Sequence, residues 1–122
     1  MILEKNVIVD KENKQYIECI FESSNIAKTI YFEHMEKFYI FFKRGHGYSY
    51  VNVDKELYEN FEAAESQGKF FNKNIKDNPV HQHRYEFKLV ENEIKEIETI
   101  IESYKNKKDG KNTESIVNIS HI

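Results

Sequence analysis

The segment Gly68-Lys69-Phe70-Phe71-Asn72 gathers residue types suited to a phosphorylated, flat-ringed ligand. Two adjacent phenylalanines on one helical turn point in different directions, so one can enter a core while the other lines a cleft. An exposed ring is a stacking surface for a base. Gly68 allows close backbone approach, Lys69 offers charge to a phosphate, and Asn72 carries both a donor and an acceptor for a base edge. The same residues also read as plain structure, with both rings in the core and Gly68 as a helix stop. Arg44, beside the Gly45-His46-Gly47 turn, can hold a phosphate with two hydrogen bonds or serve as a surface base. Tyr48 and Tyr50 share one strand face, as a packed surface or as ligand contacts. Asn92, at the start of a further helix, suits an N-cap or a ligand contact at open N–H groups.

Catalytic signatures are missing from the chain. It has no Gly-x-Ser-x-Gly, no phosphate-binding loop, no dinucleotide fingerprint and no Cys-x-x-Cys. His81-Gln82-His83 is the one local pair of imidazoles; on a strand they would share a face, with Asp77 or His46 as a third metal ligand. The plainer reading is a solvated loop after Pro79, and no metal or cofactor is expected. The lone Cys19, within Tyr16-Ile17-Glu18-Cys19-Ile20-Phe21, reads as a small buried hydrophobe, and cysteine usage points to a reducing, cytoplasmic setting.

These groups need a scaffold, and 122 residues allow one domain with a short appendage. A share of 39% hydrophobic and 14% aromatic residues argues against disorder. No apolar run is long enough for a membrane span, and residues 1–10 lack the features of a signal peptide. The net charge of −3 disfavours non-specific duplex binding. Sixteen lysines against two arginines, Arg44 and Arg84, make those two planar forks worth noting.

The pattern predicts an α+β fold. Strands are expected at 2–9, 15–21, 25–32, 38–42, 48–53 and 85–89, forming an antiparallel sheet of about six strands with a meander at its centre. Asp54 caps a helix after the fifth strand, with Leu57, Tyr58, Phe61 and Ala64 at helical spacing. Residues 69–75 read as a short helical turn or a structured loop. A long C-terminal helix is expected over 91–107, its stripe Val90, Ile94, Ile97, Ile101 and Tyr104 available either for oligomerisation or for packing on the chain's own sheet. Residues 1–108 make the domain; 109–122 form a polar tail, either flexible or an edge strand.

Residues Ser23 to about Lys76 resemble the KTSC domain, named for an extension of some lysyl-tRNA synthetases. The matching features are Ser23-Ser24-Asn25-Ile26, the meander, Tyr48-Ser49-Tyr50 as the family's Tyr-x-Tyr, and Ser66-Gln67-Gly68-Lys69-Phe70-Phe71-Asn72 as its Ser-x-Gly-x-Phe-Phe-Asn element. The resemblance implies a small, non-enzymatic domain with RNA binding as a role. In length, element order, the Phe-Phe-Asn region and composition, the whole chain is also similar to the anti-Thoeris sponge proteins of phages. Those proteins sequester cyclic ADP-ribose-type immune signals and assemble through their helices. That likeness implies Phe71 stacked on adenine, Asn92 on the base or ribose, and Arg44 or Lys69 on the pyrophosphate. The expectation is a non-catalytic phage counter-defence protein in the host cytoplasm. It would capture a small cyclic nucleotide and form a homodimer or larger homo-oligomer through the C-terminal helix. The alternative is a KTSC-type module for single-stranded RNA.

Overall fold

The computed structural model describes residues 2–23, 25–81, 85–88, 95, 98, 99, 102 and 116–121. Strands β1 (Ile2–Val9), β2 (Gln15–Phe21), β3 (Ile26–Phe32), β4 (Lys37–Phe42) and β5 (His46–Tyr50) precede two helices, α1 (Lys55–Ala63) and α2 (Gln67–Phe71). A π-helical turn, Asn72–Lys76, continues α2, and β6 (Tyr85–Lys88) and β7 (Ile116–His121) complete the order. The seven described strands form one sheet in the order β6-β5-β4-β3-β2-β1-β7. Every neighbouring pair is antiparallel except β1 and β7, which run parallel.

The two helices lie on one sheet face because the strands present their large apolar residues there. Ile17, Cys19, Tyr31, Phe38, Ile40 and Tyr50 meet Tyr58 and Phe61 of α1, Phe71 of α2 and Ile75 of the π turn in one buried cluster. Phe38 is the hub: its ring lies 5.1 Å from Phe61, 6.0 Å from Tyr58 and 6.4 Å from Phe71. Such tilted and edge-on pairings satisfy the ring quadrupoles. β4 is therefore an interior strand, as its continuous apolar run implies.

Local chemistry sets the element ends. The Asp54 carboxylate accepts the Leu57 N–H at 2.8 Å and caps α1. The Ser66 hydroxyl accepts the Lys69 N–H at 3.3 Å and starts α2. Gly45 takes φ 92° in the β4–β5 turn, where its N–H donates to the Phe42 carbonyl at 2.9 Å. On the face away from the helices a polar ladder crosses the strands. Asn118 donates to Asn6 at 2.8 Å and to Glu4 at 3.2 Å, Asn6 donates to Glu18 at 3.3 Å, and Lys28 pairs with Glu18 at 2.9 Å.

Several expectations change. α1 stops at Ala63, and Gly68 lies inside α2 rather than ending a helix. The fifth strand runs from His46 to Tyr50, two residues earlier at its start than the pattern suggested, because the turn is confined to 43–45. The tail supplies a strand, β7, that joins this chain's own sheet beside β1. His81 is buried rather than solvated: its Nδ1 lies 2.9 Å from the Val51 carbonyl oxygen, while Asn52 donates to the Val80 carbonyl at 2.9 Å. Those two bonds pin the loop after Pro79 to the end of β5. The expected 91–107 helix falls mostly outside the described residues; Lys95, Glu98, Thr99 and Glu102 are helical and exposed. Its stripe, Val90, Ile94, Ile97, Ile101 and Tyr104, lies outside them. No helix among the described residues is long and apolar enough to cross a membrane.

Candidate ligand-binding site

Where the β4–β5 hairpin faces α2, the sheet and the helices leave a cleft of about 540 Å³. It is lined by Asn25, Phe42, Arg44, His46, Tyr48, Tyr50, Phe71, Asn72 and Lys76. Ligand pockets commonly span ~300–1,000 Å³, so a mononucleotide-sized molecule fits.

The lining groups come from several elements. His46, Tyr48 and Tyr50 alternate along β5 and so share its helix-side face. Antiparallel pairing of β3 with β4 sets Ile26 opposite Phe42 and carries Asn25 to the same end of the sheet; the Lys43 N–H donates to the Asn25 carbonyl at 2.8 Å. Arg44 rides on the turn between β4 and β5. Across the cleft, α2 delivers Phe71 and the π turn delivers Asn72 and Lys76. The π turn is held by Asn74, whose side chain donates to the Phe70 carbonyl at 3.1 Å.

The floor is aromatic and continuous with the core. Phe71 is 2% exposed, with its ring 5.3 Å from Tyr50 and 6.1 Å from Phe42. It therefore presents no free face for a base, contrary to the stacking role given to it above. The lining rings that remain partly exposed are Phe42 and Tyr48, 6.0 Å apart at 64°. Phe70, the other member of the pair, is half-buried and packs 6.3 Å from Phe61.

The rim is cationic. Arg44 and Lys76 are exposed, no carboxylate lines the cleft, and neither cation forms an ion pair among the described residues. Asn72 is exposed beside them. The charge pairs of this part of the fold lie elsewhere: Lys5 with Glu62 at 2.8 Å, and Lys55 with Glu33 at 3.5 Å. The strongly shifted titratable groups also lie away from the cleft. Burial pushes the Cys19 thiol up to about 12, and burial raises the Tyr31 and Tyr58 phenols as well. A thiol held protonated is a packing group, not a nucleophile.

Of the residues singled out by sequence, the cleft brings together Arg44, Tyr50, Phe71 and Asn72. Gly68 and Lys69 do not line it. Gly68 has ordinary space around it, a Cβ there meeting only Ile26 Cδ1 at 4.0 Å, so no close backbone approach requires glycine. Lys69 is exposed on α2, and Asn92 lies outside the described residues. Sequence reasoning passed over Asn25, Phe42, His46 and Lys76 as ligand contacts. The period-two spacing of His46 with Tyr48 and Tyr50, and the four-residue step from Asn72 to Lys76, were the available signals. Asn25 and Phe42 depend on strand register.

The family model of the KTSC domain matches residues 22–78. Every residue lining the cleft falls within that segment. A crystal structure of a KTSC domain protein from Yersinia pestis is similar at 26% identity and a TM-score of 0.49, covering 61% of this chain and 97% of that one. No curated protein sequence matches the chain. Residues 22–78, which carry β3 to β5, both helices and the cleft between them, are the part of the chain that is similar to the KTSC domain.

Proposed function

We propose that this chain is a non-catalytic binding protein that captures a small phosphorylated nucleotide, of the cyclic ADP-ribose type, in the cleft between β5 and α2. The observation that carries the reading is the pairing of an aromatic floor with a rim of two cations and, among the described residues, no carboxylate. Arg44 and Lys76 suit phosphate oxygens, Phe42 and Tyr48 offer partly buried ring edges to a base, and the Asn25 and Asn72 amides suit its edge. Capture requires affinity without turnover, and sequestration of an immune signal would follow from stoichiometric binding. Assembly into a homo-oligomer belongs to the same reading.

One observation favours a second reading, a module for single-stranded RNA. Residues 66–76 carry Lys69, Lys73 and Lys76 without a single acid, and Lys43 and Arg44 stand on the facing hairpin. A local basic apron of this kind suits a phosphate chain despite the net charge of −3.

The test is incubation with a panel of cyclic and linear nucleotides, removal of excess, heat denaturation and mass spectrometry of what is released. Intact release supports capture. A ligand of altered mass identifies an enzyme, and no uptake overturns the nucleotide reading. Binding of single-stranded RNA that falls steeply with salt supports the second.

A further inference from the structure

The edge of the sheet opposite the cleft is built differently from an edge meant to stay alone. β7 is last in the strand order, so its outer side has no strand partner among the described residues. Its sequence, Ile-Val-Asn-Ile-Ser-His, contains no lysine, acid, proline or glycine, and no register shift interrupts its pairing with β1. Solitary edges are usually blunted by charge, proline or a bulge. The register fixes its faces. Val117 lies opposite Lys5 and Ile119 opposite Val7, and Lys5 pairs with Glu62 of α1. Both apolar residues thus lie on the helix-bearing face, where they remain 57% and 66% exposed. Asn118 lies on the other face, at the end of the polar ladder to Asn6 and Glu18.

We propose that this edge is a dimerisation edge, on which a second copy of the chain lays its own β7 antiparallel about a two-fold axis at Asn118. The axis makes the contact self-complementary. In that register Val117 faces the partner's Ile119 on one side of the sheet, and Asn118 faces the partner's Asn118 on the other, extending the amide ladder across the junction. An uncharged strand meets its own copy without like-charge repulsion, and the unpaired backbone groups of both edges are satisfied together. The product is one continuous sheet, with the two clefts near its far ends. The inference does not depend on what the clefts bind.

Light scattering of the full chain over a concentration series tests this. The expected limit is twice the 14.7 kDa chain mass. Val117→Lys with Ile119→Lys places charge on the edge and is expected to give a folded monomer with an unchanged circular dichroism spectrum. Asn118→Cys reports the register independently. Directly opposed residues lie ~4.5–5.5 Å apart between Cα atoms, within disulfide span, so oxidation is expected to yield a covalent dimer. Ser120→Cys would set two thiols about 13 Å apart along the strands and is expected to stay uncrosslinked; Cys19 is fully buried. A monomer at every concentration overturns the proposal. So does an open-ended series of masses, which would signify β7 pairing with the β6 edge of another copy, or a dimer that Asn118→Cys fails to crosslink.

Discussion

The ring of Phe71 meets that of Tyr50 edge-on, 5.3 Å apart at 78°, and this contact fastens α2 to β5 directly beneath the cleft. The cleft floor shares Tyr50 and Phe71 with the hydrophobic core, so altering those two carries a cost to the fold. Phe71→Ala is expected to lower stability by about 3–5 kcal/mol, the usual range for removing a buried phenylalanine. Denaturant unfolding checks it. Ligand uptake by that variant should fall in step with its folded fraction.

Rim substitutions should separate binding from folding. Arg44→Ala and Lys76→Ala remove exposed cations that form no ion pair among the described residues. Melting temperatures are expected to change little. Each lost charge-assisted contact should weaken a phosphorylated ligand by roughly 1.5–3 kcal/mol, read by calorimetric titration. Arg44→Lys should recover only part of that loss, because an ammonium cannot reproduce the two-pronged grip of a guanidinium.

Gly47 tests the hairpin that carries Arg44. A Cβ there would lie 2.4 Å from Cδ1 and 2.6 Å from Cε1 of Phe41, whose ring lies over the glycine on the neighbouring strand. Gly47→Ala must displace that ring and is expected to cost about 1–3 kcal/mol by overpacking. Pairing it with Phe41→Ala should cancel part of the loss in a double-mutant cycle.

Alkaline pH should unfold the protein early. The Cys19 thiol is raised from 9.0 to about 12 by burial, and the Tyr58 phenol is raised above 10.0 for the same reason. Between those ordinary values and the raised ones, the unfolded chain releases protons that the folded chain keeps. Stability is therefore full below pH ~9 and declines as pH rises through the window toward ~12. Thermal melts recorded from pH ~8 upward check the slope, and Cys19→Ala should flatten part of it.

The elements that were legible in the sequence are those whose signals are local. Asp54 before Leu57, Tyr58 and Phe61 gave α1, and the apolar run around Phe38 to Phe42 gave the interior strand. What escaped was non-local. Whether Phe71 faces outward depends on how α2 docks against Tyr50 and Phe42, and adjacent phenylalanines carry no mark that says which one faces inward. Asn25 and Phe42 reach the cleft through the register of β3 on β4, which includes an irregularity between Ile26 and Lys28 that no local pattern encodes. His81 looked solvated after a proline, yet it is buried, with its Nδ1 within hydrogen-bond distance of the Val51 carbonyl, a contact no local pattern encodes. β7 was ambiguous because its partner, β1, lies more than a hundred residues away.

That long separation bears on synthesis. β1 leaves the ribosome well before β7, and β2 soon covers one of its sides, but the other side must wait until residues 116–121 have been made. Contacts that span so much chain form late and slowly. A nascent chain therefore carries an open, β-prone flank until β7 has been made, and Glu4 and Lys5 place on that strand the kind of charge that blunts a solitary edge.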